Sequence, residues 1–324
     1  MMPHEDWSQV SSSTASSWRL SGLGVGAVWG YFCSQTPVER AVLLLQCPLP
    51  LAADSFFQRF LERENLSDGE GVILSEMSMY QLVILAGGKG TRMGSDFPKV
   101  LHLVKEVPLI ERILENIKPL IVKPVVVVGY GADEVKALLG DRVTYAYQRE
   151  QLGTGHALLS AREILEEMGC TQILVTPGDH PLISEKTFRA LLDIQATTGA
   201  KVALASVSVP YFDGSFGSFD HFGRIVRNAT GAVEKIVEYK DATEAERAIR
   251  EVNTSYYCFD AKWLWENIDR LQNNNASHEF YLTDMVHLAR EDGHTIGTLS
   301  IEDPIEGLGI NTPEQLALVE AHIL

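Results

Sequence analysis

The 324-residue sequence has few cysteines, few cations and no long hydrophobic run. Its four cysteines are widely spaced and form no Cys-x-x-Cys pair, so neither a zinc site nor a disulfide framework is indicated. No apolar run reaches the ~20 residues that a membrane span needs. The apolar stretch 20–33 lacks the basic flank and the cleavage site of a signal peptide. We therefore expect a cytoplasmic protein.

Positive charge is scarce. Lysine and arginine number 27 against 43 aspartate and glutamate residues, which gives a formal charge of −16. Nucleic acids and anionic membranes are bound through basic surfaces that release counterions, so we expect neither as a partner. An acidic protein that binds a polyphosphate has to concentrate its cations locally or use a metal ion.

The N-terminal quarter differs in composition from the rest of the chain. Residues 1–79 contain four arginines, no lysine and nine acidic residues, with a serine-rich opening and no alternation of strand and helix patterns. Met77 and Met79 stand immediately before the first clear strand. We predict that residues 1–78 are an N-terminal extension, either disordered or outside the functional domain, and that residues 79–324 form that domain.

From Tyr80 onward, apolar strand patterns alternate with amphipathic helix patterns. The predicted strands are 81–86, 125–128, 143–147 and 172–176, followed by a more mixed region from Lys201 with strands at 224–226, 237–239 and 252–259. The predicted helices are 109–117, 132–139, 157–168, 184–196, 243–250, 261–271 and 313–322, the last with Thr312 as N-cap. This order predicts an α/β fold, Rossmann-like, with a mixed and mostly parallel sheet flanked by helices.

The segment 85–99, which reads LAGGKGTRMGSDFPK, follows the first strand directly. Its glycines are Gly87, Gly88 and Gly90, its hydroxyl beside them is Thr91, and its cations are Lys89, Arg92 and Lys99. Glycines let backbone N–H groups converge on an anion, and ligands of open α/β sheets bind beyond strand carboxyl ends. The segment therefore predicts a triphosphate-binding loop, with a tight turn carrying solvated cations as the competing interpretation.

Two better-known phosphate loops do not match this segment. A Walker A loop requires serine or threonine after its lysine, whereas Gly90 follows Lys89. A dinucleotide fingerprint starting at Gly88 requires glycine at the position of Met93.

The whole segment resembles the signature of the sugar nucleotidyltransferase family, and within it the uridyltransferase domain of bacterial UDP-N-acetylglucosamine pyrophosphorylases. The likeness covers about residues 80–324 and continues through QLGTGHA (151–157), PGDHPL (177–182), FGRIVR (222–227), IVEYKDAT (236–243), EVNT (251–254), NNNASHEFYLTD (273–284) and GIN (309–311). The resemblance implies the nucleotide-diphospho-sugar transferase type of fold and makes residues 79–324 the nucleotidyltransferase domain.

The resemblance also assigns the nucleotide half of a site. It implies that the base and phosphates contact Leu85, Ala86, Gly87, Gly88, Gly90 and Thr91, with Arg92 and Lys99 as catalytic cations. Gln148, Gly153 and Thr154 match the residues that bind uracil. A glutamine amide can satisfy both the donor and the acceptor on a uracil edge. Without the resemblance, QLGTGH is typical of a glycine turn before a helix.

Two further positions match magnesium ligands. The resemblance implies that Asp179 and Asn311 hold Mg²⁺, which prefers oxygen ligands and takes substrate phosphates for the rest of its shell. The alternatives are a solvated turn residue at Asp179 and a helix cap at Asn311, although Thr312 already fills the cap role.

Gly223, Glu238 and Asn253 match the residues that hold the amino sugar. A carboxylate and an amide can bind hydroxyls and an N-acetyl group, and glycine allows close backbone approach. Otherwise Glu238 is one more acid in the charged stretch 234–246. His156 and Thr283 are expected to support the site.

The chain departs from the family pattern on the sugar side. Family members often have Asn-Thr-Gly where this sequence has Asn253, Thr254 and Ser255, and the stretch 211–222 is rich in aromatic residues and serine. No hexapeptide repeat of the β-helix type follows Asn311. In bifunctional members of the family, repeats of this type build an acetyltransferase domain. We therefore expect neither acetyltransferase activity nor the trimer that this domain forms.

The function implied by the resemblance is transfer of a uridylyl group from UTP to N-acetylglucosamine 1-phosphate, giving UDP-N-acetylglucosamine and pyrophosphate. Its cofactor would be Mg²⁺ and its partners small molecules; the sequence predicts no oligomeric state. Two alternatives stay open: a nucleotidyltransferase for another sugar 1-phosphate, and a non-catalytic sugar-nucleotide-binding regulatory subunit.

Overall fold

The computed structural model describes residues 80–90 and 97–323. The predicted extension 1–78 lies outside the described residues. Thr91 and Arg92 of the glycine-rich loop also lie outside them. None of the described helices is long and apolar enough to cross a membrane.

Strands and helices alternate along the described chain. The strands are β1 (Tyr80–Ala86), β2 (Leu103–Val104), β3 (Val107–Pro108), β4 (Val125–Val128), β5 (Thr144–Tyr147), β6 (Gln172–Pro177), β7 (Val202–Ser208), β8 (Arg224–Arg227), β9 (Val233–Val237), β10 (Glu251–Asp260) and β11 (Ile296–Ser300). The α-helices are α1 (Leu109–Ile117), α2 (Ala132–Leu139), α3 (Thr154–Leu159), α4 (Arg162–Glu167), α5 (Glu185–Thr198), α6 (Glu244–Arg247), α7 (Ala261–Asn267), α8 (Asp284–Glu291) and α9 (Pro313–His322). Short 3₁₀ helices cover Lys99–Leu101, Gly214–Phe219, Ile268–Arg270 and Pro304–Gly307.

Nine of the strands in the described part of the chain form one sheet with the central order β11-β7-β10-β6-β1-β4-β5. The pairs β1–β4, β1–β6, β4–β5 and β7–β11 are parallel. β10 runs antiparallel to both β6 and β7, and the β8–β9 hairpin attaches to β10. The predicted mixed, mostly parallel α/β sheet is therefore confirmed.

Helices cover both faces of the sheet, which explains why its central strands are apolar without a polar face. Alternate residues of β1 point to opposite layers: Leu82 and Ile84 join the core formed with α1, α2 and α5, whereas Val83 joins the core formed with α3, α4, α7 and α8. All four valines of β4 are fully buried for the same reason.

Four predicted elements differ from the structure. The predicted helix 157–168 is interrupted, because the Ser160 hydroxyl donates to the His156 carbonyl and such bonds bend helices. The predicted strand 237–239 has the wrong bounds, because the strand observed there, β9, ends at Val237. Its register is set by the hairpin with β8, in which Val237 opposes Arg224. The expected helices 243–250 and 261–271 are shorter, as α6 and α7.

Candidate active site

The predicted site residues converge on one edge of the sheet. Because β1, β4, β5 and β6 are parallel, their carboxyl ends meet there. Gly87 follows β1, Gln148 follows β5, and Asp179 lies just beyond β6. β10 runs the other way, so its first half, with Asn253, reaches the same edge. This is the edge at which open α/β sheets bind ligands.

The glycine-rich loop packs against Gln148. The carbonyl of Gly87 accepts hydrogen bonds from the Tyr130 backbone N–H (3.1 Å) and the Gln151 side chain (3.0 Å). A Cβ at Gly87 would lie 2.8 Å from Gln148 Oε1, so a larger residue there would displace the amide from the loop. Gln148 is buried, and its Nε2 donates to the Gly153 carbonyl at 3.0 Å. The structure therefore brings these three predicted residues together.

The QLGTGHA motif is bound to the distant FYLTD motif. The N–H of Gly155 donates to Phe280 O (2.8 Å), and the N–H of Phe280 donates to Leu152 O (2.8 Å). Thr154 Oγ1 accepts from the Leu282 N–H at 3.0 Å. Gly153 has φ +111°, and a Cβ there would lie 2.7 Å from Phe280 O. The Thr154 hydroxyl is thus engaged in holding the two motifs together, and we name these contacts the 153–282 lock.

Lys99, Asp179 and Asn311 meet although 212 residues separate the first from the last. Lys99 Nζ forms an ion pair with the Asp179 carboxylate and donates to Asn311 Oδ1 at 2.6 Å. Burial would raise the pKa of Asp179, but the Lys99 charge holds that pKa below its ordinary value. The carboxylate is therefore ionised at neutral pH.

The neighbouring segments position this cluster. Gly90 has φ +68°, and a Cβ there would lie 2.6 Å from Lys99 Cβ, so the loop closes directly onto the lysine stem. Thr312 caps α9, as predicted, and Gln315 Oε1 accepts from the Asn311 N–H at 2.6 Å. The Asn311 side chain is thereby left to face Lys99.

The Asp179–Asn311 pair fits Mg²⁺ by its chemistry, because carboxylate and amide oxygens are ligands that this ion prefers. The described residues contain no group of three or more His, Cys, Asp or Glu side chains that could hold a metal ion. Substrate phosphates would have to complete the coordination shell.

A cavity of about 140 Å³ opens beside this cluster. Its lining residues are His180, His221, Phe222, Gly223, Glu238, Asn253, Ser255 and Asn311. The three predicted sugar-binding residues therefore share one cavity with a predicted metal ligand. Of the lining residues that the sequence did not single out, His180 stands beside Asp179 in the PGDHPL motif, which was the available signal.

Glu238 lies half-buried at the cavity wall. Its Oε1 accepts a hydrogen bond from Thr283 Oγ1 at 3.1 Å, so Thr283 contacts one of the predicted sugar-binding residues. Burial raises the pKa of Glu238 to about 7. A Cβ at Gly223 would lie 3.4 Å from Glu238 Oε1, so this backbone runs close to the carboxylate.

Asn253 is held by its neighbours on β10. Its Nδ2 donates to the Tyr257 hydroxyl at 2.7 Å and to Ser255 Oγ at 3.3 Å, and its Oδ1 accepts from the Ser255 N–H at 3.1 Å. Its backbone N–H donates to Gly223 O at 2.9 Å. Both ends of the amide therefore have a fixed orientation.

His180 lies beside Asp179 and is held in place by Tyr256. Tyr256 donates its hydroxyl proton to Glu306 O (2.7 Å), so His180 Nδ1, 3.0 Å from that hydroxyl, is the donor of their mutual bond. Burial lowers the pKa of His180 to about 4, which keeps the ring neutral at pH 7. Its Nε2 lies 3.6 Å from Asp179 Oδ1.

Comparison with known proteins agrees with this geometry. The family model of the MobA-like NTP transferase domain matches residues 82–276. The bifunctional protein GlmU of Geobacillus sp. (strain WCH70) is 46% identical over 241 residues, which cover 74% of this chain and 50% of that protein. GlmU of Brevibacillus brevis is 43% identical over 248 residues, or 76% of this chain and 52% of that protein. The chain spans about half the length of these relatives.

A solved structure shares the fold. It is a candidate glucose-1-phosphate thymidylyltransferase from Bacillus anthracis, with a TM-score of 0.57 and 19% identity, covering 75% of this chain and 94% of that one. At this identity the likeness supports the nucleotide-diphospho-sugar transferase fold and nothing finer.

Proposed function

Because this chain belongs to the MobA-like NTP transferase domain family, we propose that it transfers the uridylyl group of UTP to N-acetylglucosamine 1-phosphate. The products are UDP-N-acetylglucosamine and pyrophosphate. The observation that carries the proposal is the position of Asn311, which contacts Lys99 and also lines the cavity with Glu238 and Asn253. One side chain thus joins the Lys99–Asp179 ion pair to the pocket proposed for the sugar ring.

The reaction needs no protein nucleophile. An oxygen of the sugar 1-phosphate attacks the α-phosphorus of UTP, and the bond between that phosphorus and the bridging oxygen breaks, so pyrophosphate leaves with the electron pair. A phosphate monoester has its second pKa near ~6, so the attacking oxygen is ionised at neutral pH without a general base. The barrier is mainly charge repulsion and misorientation, which positioned cations reduce.

Lys99 is proposed to act directly on the reacting phosphates. Its ammonium group, at the end of the glycine-rich loop, would stabilise charge that develops on the transferred phosphate. Arg92 is proposed to act on the triphosphate, although it lies outside the described residues. Asp179 and Asn311 would hold Mg²⁺, which supplies further positive charge to the phosphates when bound.

The remaining residues are proposed to select the substrates. Leu85, Ala86, Gly87, Gly88, Gly90 and Thr91 would line the nucleotide, while Gln148, Gly153 and Thr154 would form the uracil side. The buried Gln148 amide, fixed by Gly153, supports base selection because its orientation is set before binding. Gly223, Glu238 and Asn253 would hold the amino sugar.

One assay tests the proposal against its alternatives. The full chain is incubated with Mg²⁺, each nucleoside triphosphate and a panel of sugar 1-phosphates, and pyrophosphate release is measured, with Asp179→Ala as the inactive control. Release with UTP and N-acetylglucosamine 1-phosphate is expected. Preference for another pair would identify a different nucleotide or a different acceptor. Binding of UDP-sugars without any release would identify a regulatory subunit. The same assay on residues 79–324 tests whether this domain suffices.

A further inference from the structure

Ser255 has a backbone conformation that is unusual inside a strand. Its φ is +61°, in the left-handed region that any residue with a Cβ adopts only at a cost in free energy. Lys105 and Glu106 also have positive φ, but they form the turn between β2 and β3. Ser255 lies within β10, where such a conformation calls for a reason.

The reason lies in the pairing of β10 with β7. Asn253 opposes Ser206, but Tyr257 opposes Leu204, so the register shifts between Asn253 and Tyr257. Bulges of this kind redirect side chains and occur near active sites. Here Asn253 and Ser255, both within the stretch where the register shifts, line the wall of the cavity.

Ser255 also fixes the amide of Asn253. Its backbone N–H donates to Asn253 Oδ1 (3.1 Å), and its hydroxyl accepts from Asn253 Nδ2 (3.3 Å). The first bond needs the bulged backbone, whereas the second needs the hydroxyl. Glycine would adopt the same φ without the steric cost but would lose the second bond.

We propose that Ser255 is a positioning residue for the acceptor pocket, whose hydroxyl orients the Asn253 amide toward a polar ring substituent of a sugar 1-phosphate, either a hydroxyl or an acylamino group. This inference rests on the proposed function. It explains why the chain keeps serine at a position whose φ favours glycine. The residue sets acceptor affinity and leaves the nucleotide half of the site unchanged.

Two substitutions separate the effect of the Ser255 hydroxyl from the effect of a Cβ at positive φ. Ser255→Ala keeps the Cβ at positive φ and removes the hydroxyl, while Ser255→Gly removes both. In each variant KM for the preferred sugar 1-phosphate should rise about fivefold, the effect of one neutral hydrogen bond, with KM for UTP unchanged. Ser255→Gly should melt a few degrees above Ser255→Ala. Glu106→Gly, which relieves a positive φ outside the cavity, is the control and should leave both KM values unchanged.

The same variants are titrated with UDP-sugar by calorimetry, so that binding is measured independently of turnover. Acceptor KM and UDP-sugar affinity within twofold of wild type in both variants would overturn the role of Ser255. A wild type that binds UDP-sugar but releases no pyrophosphate would overturn the proposed catalysis alone, and a fivefold loss of that binding in the variants would still support Ser255. A wild type that neither binds nor turns over would overturn both.

Discussion

Replacing Glu238 with glutamine should stabilise the protein at alkaline pH while it weakens acceptor binding. The half-buried carboxyl accepts one hydrogen bond, from Thr283, and glutamine can keep this bond and the shape of the side chain. Burial, together with the negative charges of Asp284, Asp241 and Glu279, raises the pKa of Glu238 to about 7 from an ordinary value of 4.5. The folded protein therefore resists ionising a group that an acceptor would need as a carboxylate.

The sign and size of the effect follow from proton linkage. Between pH 4.5 and about 7 the folded chain keeps a proton on Glu238 that the unfolded chain has lost, so this group's contribution to stability declines as pH rises through that window. Each pKa unit corresponds to about 1.4 kcal/mol, so the shift amounts to roughly 3 kcal/mol. Glutamine has no proton to lose, and its contribution does not change with pH.

Urea denaturation at pH 5 and pH 8 measures this difference directly. The free energies of unfolding of wild type and Glu238→Gln should be similar at pH 5, and the variant should be more stable by up to roughly 3 kcal/mol at pH 8. The exposed Glu234→Gln is the matched control and should show the same small difference at both pH values. At pH 8, KM for the acceptor should rise at least tenfold in Glu238→Gln. A stability difference between Glu238→Gln and wild type that does not change with pH would refute the reasoning.

Three further substitutions test the other half of the site. Lys99→Ala should lower kcat by ~10²-fold or more, because one positioned electrostatic donor is worth about 2.7–4 kcal/mol in the transition state; near-normal steady-state turnover would remove Lys99 from the mechanism. Gln148→Ala should reduce the preference for UTP over CTP, measured as the ratio of kcat/KM values, and an unchanged ratio would show that another group selects the base. Gly153→Ala should lower the free energy of unfolding by about 2 kcal/mol or more, because the new Cβ would meet Phe280 at a positive φ; a wild-type urea midpoint would contradict the strained geometry.

Sequence patterns predicted the helices and strands that are specified by their own residues. The bounds of α1, α2 and β4 agree with the predicted ones because their apolar residues follow a clear helical period or an unbroken β-branched run. α8 and β11 were missed for tertiary reasons. Thr283, which precedes α8, gives its hydroxyl to Glu238 instead of capping the helix, so tertiary contacts contribute to where α8 begins. β11 contains Gly297, where a Cβ would lie 2.5 Å from Ile194, and glycine weakens a strand pattern.

The candidate site likewise has a part that the sequence predicted and a part that only the structure shows. The resemblance identified Lys99, Asp179 and Asn311, and their contacts appear only when the sheet brings distant segments to one edge. The sequence marked Ser255 as a departure from the family pattern but could not reveal its positive φ, which depends on a shift in strand pairing. Which ring nitrogen of His180 carries the proton depends on the hydrogen bond that Tyr256 donates to the Glu306 carbonyl. A motif does not encode that bond.

The 153–282 lock has a consequence for fragments and for folding. Its side-chain bond joins residues 128 positions apart, and closing a loop of that length in an unfolded chain costs roughly 4 kcal/mol of entropy. The segment proposed to contact uracil is therefore expected to assemble late, after the intervening strands have paired. The family match ends at residue 276, before Phe280 and Leu282. A fragment cut at that boundary would keep the complete glycine-rich loop and still lose the backbone that holds QLGTGHA in place, so the nucleotide pocket is not a portable module.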